Sequence, residues 1–173
     1  NLTMDEMAER IEQTVTHACN LCDNIQWSPM DATRTELDYL YRVVEIAIKS
    51  GATTINIPDT VGYTAPRESA ELIKKLIKNV PGADSVVFAT HCHNDLGMAT
   101  ANSLAAVEAG ARQIECTVNG LGERAGNTAL EEVVMAMKVR NDIMPFQTGV
   151  DSTKIMNISR RVATVSGFPV QFN

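Results

Sequence analysis

Four short strand-like segments recur about thirty residues apart, centred near positions 26, 55, 88 and 114, and each is followed by a stretch of helical spacing. That interval is the length of a strand, a turn and a helix that returns the chain to the same edge. It restricts the fold to an α/β architecture, a parallel sheet with crossover helices. Strands are expected over 24–28, 53–57, 85–90 and 112–117. Before the first, Thr3 and Glu6 form a capping box, and Met7, Ile11, Val15 and Ala18 continue a helix to about Leu21. Thr35 is expected to cap the next helix, with Leu37, Leu40, Val44 and Ala47 on its core face and Gly51 as its stop. Pro58 should end the second strand, and Pro66 suits the first turn of a third helix. Further helices are predicted over 98–109, 129–138 and 152–166. The order is α-βα-βα-βα-βα-α. No low-complexity stretch or linker interrupts it, so one domain is expected.

The loops that follow the strands hold the informative residues: Ser28-Pro29, Pro58-Asp59-Thr60, His91-Cys92-His93-Asn94-Asp95, and the glycine loop from Gly120 to Asn127. Loops at the carboxyl ends of parallel strands converge on one face, where α/β proteins place their sites. Residues i and i+2 of a strand share a side. His91 and His93, two of the three histidines, can therefore offer imidazoles to one point beyond the strand, where a divalent metal would add oxygen ligands. On the residues alone, one histidine packing and the other meeting water remains open. Asn94 and Asp95 could orient the histidines from behind, or Asp95 could cap the next helix. A glycine-rich turn carries no chemistry by itself. This one has neither the dinucleotide spacing nor a Gly-Lys-Ser/Thr. Cys19 and Cys22 stand as C-x-x-C at the end of a helical pattern, with no second pair to complete a zinc site.

Composition excludes some partners. Fifteen basic residues against twenty-one acidic ones leave a net charge of −6, the wrong sign for nucleic acid or an anionic membrane surface. No apolar run approaches the ~20 residues that span a bilayer. There is no signal-peptide pattern, and four scattered cysteines fit a reduced, cytoplasmic protein. The chain starts at Asn1 rather than Met, so it is expected to be a piece of something longer.

Residues 56–63 (Asn-Ile-Pro-Asp-Thr-Val-Gly-Tyr), His91 through Gly97, and Gly120 through Asn127 resemble the 2-isopropylmalate synthase family. This is the acyl-transfer branch of the HMG-CoA-lyase-like TIM barrels. The likeness runs in order from about Ile25 to the end of the chain. It implies a partial (βα)8 barrel: about four βα units, the family's strands five to eight, with a helix before and after. It also implies a metal-dependent Claisen condensation of acetyl-CoA with a 2-oxo acid. On that likeness His91, His93 and Asn127 would serve the metal (manganese, zinc or magnesium). Ser28 and Thr60 would face the 2-oxo acid, and Glu123, Gly120 and Gly122 would line the acetyl-CoA side, with Glu123 as the catalytic carboxylate. On the residues alone, Thr60 could as well be a turn cap, and Glu123–Arg124 a loop-fixing ion pair.

The family's first strand, with its Leu-Arg-Asp-Gly-Glu-Gln signature, has no counterpart in these residues, and that signature supplies an aspartate ligand and an arginine. Four βα units cannot close a barrel, so self-association, as a dimer, is expected through the open sheet edges. One departure stands inside the matched region. The family pattern after this strand is Ser-x-Glu-Asp, whereas this chain reads Ser28-Pro29-Met30-Asp31. Methionine cannot take a proton, which sets an incomplete, metal-binding half-barrel beside the synthase reading. Homocitrate and citramalate synthases share the motifs and remain as alternatives.

Overall fold

The computed structural model describes residues 2–171. The first helix, α1 (Met4–Cys19), starts as expected: the Thr3 hydroxyl accepts from the Glu6 amide while the Glu6 carboxylate accepts from the Thr3 amide. Strand β1 is only Gln26–Trp27, shorter than predicted. Beyond it the chain turns at Asp31, which lies in the left-handed region and accepts a two-nitrogen fork from Arg34. Thr35 does not cap helix α2 (Leu37–Lys49). It closes the short turn over Ala32–Arg34, and its hydroxyl donates to the Asp31 carbonyl. The N-cap position of α2 falls on Glu36, so Thr35 stands one residue too early to cap it. The α2 stripe is as predicted, with Leu40, Val43, Val44 and Ala47 buried, and Gly51 follows its end at φ 107.

Strand β2 (Thr54–Asp59) is wholly buried and runs through Pro58 instead of ending there. In a parallel strand alternate residues bond to opposite neighbours. Thr53 and Asp59 accept from the β3 side, at Val87 and His93, so Pro58 faces β1. That strand ends at Trp27, opposite Ile55, and the missing N–H of proline has no partner to lose. Helix α3 (Pro66–Asn79) begins on its proline. Then follow β3 (Val87–Cys92), α4 (Ala99–Glu108), β4 (Gln113–Glu115), α5 (Leu130–Val139) and α6 (Ile155–Ser166).

The four strands pair in parallel in the order β1-β2-β3-β4. Their register sorts the side chains onto two faces. Ile55, Ile57 and Phe88 point to the helices and pack with Ile11, Leu40, Val44, Ile73 and Leu76 in the main core. The opposite face carries Gln26, Asn56, His91, Gln113 and Glu115. Gln26 of β1 donates to Glu115 of β4. Side chains of the two outermost strands meet over this face only because the sheet curls toward it. The concave side is thus polar and the convex side apolar.

Candidate active site

The β3 strand carries His91 as its next-to-last residue and delivers His93 just beyond. Both are on the concave side, with ring centroids 5.0 Å apart. Cys92, between them, points back to the helices, where burial pushes its thiol up. His91 Nδ1 lies 2.8 Å from Glu115 Oε2. His93 is 8% exposed, and its Nδ1 has no hydrogen-bond partner. Burial first, then the neighbouring His91, lowers its pKa. A neutral imidazole with a lone pair is the form that binds a metal. Across a backbone bridge from His93 sits Asn127, whose Oδ1 is also buried without a partner.

The glycine loop brings Asn127 there. A short helical turn over Val118–Gly120 leads into it, and Asn127 N then donates to the Gly120 carbonyl at 2.9 Å. A Cβ on Gly122 would sit 2.5 Å from Asn127 Nδ2 and 2.8 Å from Oδ1, so only glycine leaves the amide its place. Asn94 N donates to the Gly126 carbonyl, and Thr128 N to the Cys92 carbonyl. The loop is therefore laced to the histidine segment. From the far side α6 holds it through Asn119 Nδ2, which donates to the Ser159 carbonyl at 3.0 Å.

Three strand-end loops are tied by one side chain. Arg124 donates to both oxygens of Asp95, at 2.7 and 2.9 Å, and to the Thr60 carbonyl at 2.8 Å. This guanidinium holds the Asp95 carboxyl below its usual range. Asp95 neither orients a histidine nor caps α4. Asn94 does the latter, accepting from the Ala99 amide at 3.1 Å. The expectation that these two orient the histidines is corrected: that contact belongs to Glu115. Glu115 was not singled out in the sequence. Its one signal was alternation with Gln113 on a strand, which means nothing until the register sets it beside His91.

Ser28 and Thr60 lie at the ends of β1 and β2, and both hydroxyls are engaged. Ser28 Oγ accepts from Asn56 Nδ2 at 2.9 Å, and Thr60 Oγ1 from the Asp31 amide at 2.8 Å. Each keeps its own proton to donate. Thr60 therefore joins two loops and is not a cap on its own turn. Glu123 faces solvent, with its side chain 81% exposed and 3.9 Å from Arg124. The principal partner of Arg124 is Asp95, so the Glu123–Arg124 pair is not what fixes the loop. Met30 is 84% exposed, and Asp31 is spent on Arg34, so neither brings a carboxylate to the histidines.

The donor set fits a divalent cation in part. An ion about 2.1 Å from one nitrogen of each ring, at tetrahedral to octahedral angles, separates ring centroids by roughly 4.6–5.3 Å. The observed spacing falls inside that range. Two buried polar atoms without partners, His93 Nδ1 and Asn127 Oδ1, carry a desolvation cost that a cation bound by them would offset. Among the described residues no group of three His, Cys, Asp or Glu side chains converges. The set is two imidazoles and one amide oxygen, all neutral donors.

The HMGL-like family model matches residues 1–162. A 2-isopropylmalate synthase of Caulobacter sp. (strain K31) is 60% identical over 169 residues, which are 98% of this chain and 32% of that relative. One of Methylorubrum populi is 57% identical over 171 residues, 99% of this chain and 33% of the relative. The chain spans about a third of the length of the curated relatives it matches. Among solved structures, hydroxymethylglutaryl-CoA lyase from Pseudomonas aeruginosa superposes with a TM-score of 0.78 at 21% identity, over 98% of this chain and 58% of that one. That likeness establishes the fold: the four-stranded sheet with its helices is part of a TIM barrel.

Proposed function

Because the chain belongs to the HMGL-like family, we propose that it is the C-terminal half of a catalytic barrel of 2-isopropylmalate synthase type, 1–173. Its reaction joins acetyl-CoA to 2-oxoisovalerate, the first step of leucine biosynthesis, in the cytoplasm. The observation that supports this most is the meeting of His91, His93 and Asn127 on a polar concave face, with His93 Nδ1 and Asn127 Oδ1 buried and unpartnered.

His91 and His93 would hold the metal, with Asn127 Oδ1 as a neutral oxygen beside them. A bound manganese, zinc or magnesium ion supplies Lewis-acid polarisation of the keto group and a template for the 2-oxo acid. Ser28 and Thr60 stand at the mouths of the neighbouring strands with protons free to donate to the 2-oxo acid. Gly120 and Gly122 belong to the loop that would line the acetyl-CoA side, and the space a Cβ would take at each is filled by Asn127, so the two glycines let the loop fold tightly over that residue. Glu123, on the same loop, is the carboxylate this chain offers on the acetyl-CoA side. In the reaction the acetyl methyl loses a proton and its carbon bonds the keto carbon. The keto oxygen becomes a hydroxyl, and water cleaves the thioester to release CoA and 2-isopropylmalate.

One observation favours a second reading, a half-barrel that binds metal without turning over alone. No carboxylate from the Met30–Asp31 loop reaches the histidines, and no anionic ligand converges with them into a group of three among the described residues. Calorimetry with manganese or zinc, followed by thiol release from acetyl-CoA with a panel of 2-oxo acids, separates the readings. Binding plus release with 2-oxoisovalerate supports the synthase. Binding without release supports the half-site. Release only with 2-oxoglutarate or pyruvate moves the assignment to the homocitrate or citramalate type. Folded protein that binds no metal refutes both.

A further inference from the structure

Glu115 makes a contact that neither a core nor a solvated surface explains. Its Oε2 is 2.8 Å from His91 Nδ1, and its Oε1 accepts from Gln26 Nε2. Gln26 Oε1 in turn accepts from Gln113 Nε2 at 2.6 Å. The chain Gln113–Gln26–Glu115–His91 crosses the concave face and joins β1, β3 and β4. Its direction is fixed at each link. The Gln26 oxygen is taken by Gln113, so its NH2 must face Glu115. A carboxylate only accepts, so the hydrogen in the last link must be on His91 Nδ1. In the neutral ring that leaves the lone pair on Nε2.

We propose that Glu115 is the positioning residue for His91, itself held by Gln26, and that it fixes the Nδ1–H tautomer with Nε2 bare for a ligand role. The proposal rests on the metal-site reading above and deepens it. A ligating imidazole commonly donates its second N–H to a carboxylate, which sets both tautomer and ring orientation. The two polar residues that follow His93 in the chain are committed elsewhere: Asn94 to the Ala99 amide, Asp95 to Arg124. His93 has no such support, since its Nδ1 is unpartnered. The two histidines are therefore unequal, one oriented from behind and one placed by burial alone.

The test is a long-range proton–nitrogen correlation spectrum of the metal-free chain with 15N-labelled histidine, at a pH where the rings are neutral. His91 is identified by its loss in His91→Gln. The native chain should show His91 protonated on Nδ1. Glu115→Ala should move it to the Nε2–H form that a solvated imidazole prefers, and Gln26→Leu should move it part of the way. In zinc titrations, Glu115→Ala should weaken binding by about 10- to 100-fold. A native His91 protonated on Nε2 overturns the proposal, as does a tautomer unmoved in a folded Glu115→Ala chain. If Glu115→Ala fails to fold, Gln26→Leu decides: a shift supports the proposal, no shift overturns it. The spectrum needs no metal. A native chain with the expected tautomers that binds no zinc therefore sinks the metal reading and leaves the Glu115–His91 assignment standing.

Discussion

Glycines of one loop have unlike reasons to lack a side chain. At Gly122 the added carbon would strike only the Asn127 amide, a short side chain that can swing aside, and the backbone there is ordinary. Gly122→Ala should therefore fold with a melting temperature near that of the parent while losing metal affinity, read by calorimetry. At Gly126, φ is 92 and the carbon would run into the Gly120 carbonyl. Gly126→Ala should instead lose stability by about 1–3 kcal/mol, seen as a lower urea midpoint. Asp95 makes the same kind of separable claim in acid. Its pKa is lowered chiefly by the Arg124 hydrogen bonds, so its contribution is complete above the unfolded-state value and is lost as pH falls through the folded one. The carboxyl carbon shift of Asp95 should titrate below the ordinary aspartate range, and Arg124→Ala should restore that range.

Elements differ in how far local chemistry decides them. The α2 stripe reads directly from its spacing, and Leu40 is completely buried at its centre. Leu40→Ala should cost about 2–5 kcal/mol, measured by urea unfolding. Strand β2 shows the opposite case. Proline stops a strand only where its neighbour needs the N–H, and here the neighbour has already ended. The Thr35 assignment failed for a related reason. The left-handed turn at Asp31 and the short helical turn after it set where α2 begins, and they put Glu36 rather than Thr35 at its N-cap. Strands β1 and β4 are shorter than their segments suggest, because pairing with the neighbouring strand, which local residue type does not set, ends them at Trp27 and Glu115.

At the scale of the whole molecule, the curl of the sheet builds the site. Both edge strands are short, two residues and three, and both leave backbone groups unpaired along their outer sides. Exposed apolar side chains cluster from α5 onward, among them Val139, Ile143, Met156, Val165 and Phe168. Concentration-dependent sedimentation toward a dimer is expected, and a single monomeric species across the micromolar range would contradict it. Metal should stabilise the folded chain by mass action. At a hundredfold excess over the dissociation constant the gain is about 2.7 kcal/mol, read as a rise in melting temperature that His91→Ala removes.

The repeat of strand and helix, the parallel sheet, the helix stripes and the histidine pair were all legible in the residues, because each rests on spacing within a few turns of chain. So was the neighbourhood of Asn127 and the glycine loop, through motif likeness. What the sequence left open was who faces whom. That Glu115 backs His91, that Arg124 grips Asp95 instead of Glu123, and that Gln26 reaches across to β4 depend on register and sheet curvature. These are set by packing among residues dozens of positions apart. A carboxylate in a strand carries no mark of its partner. Only the tertiary structure, by fixing which side chains share the concave face, decides which hydrogen bonds it makes.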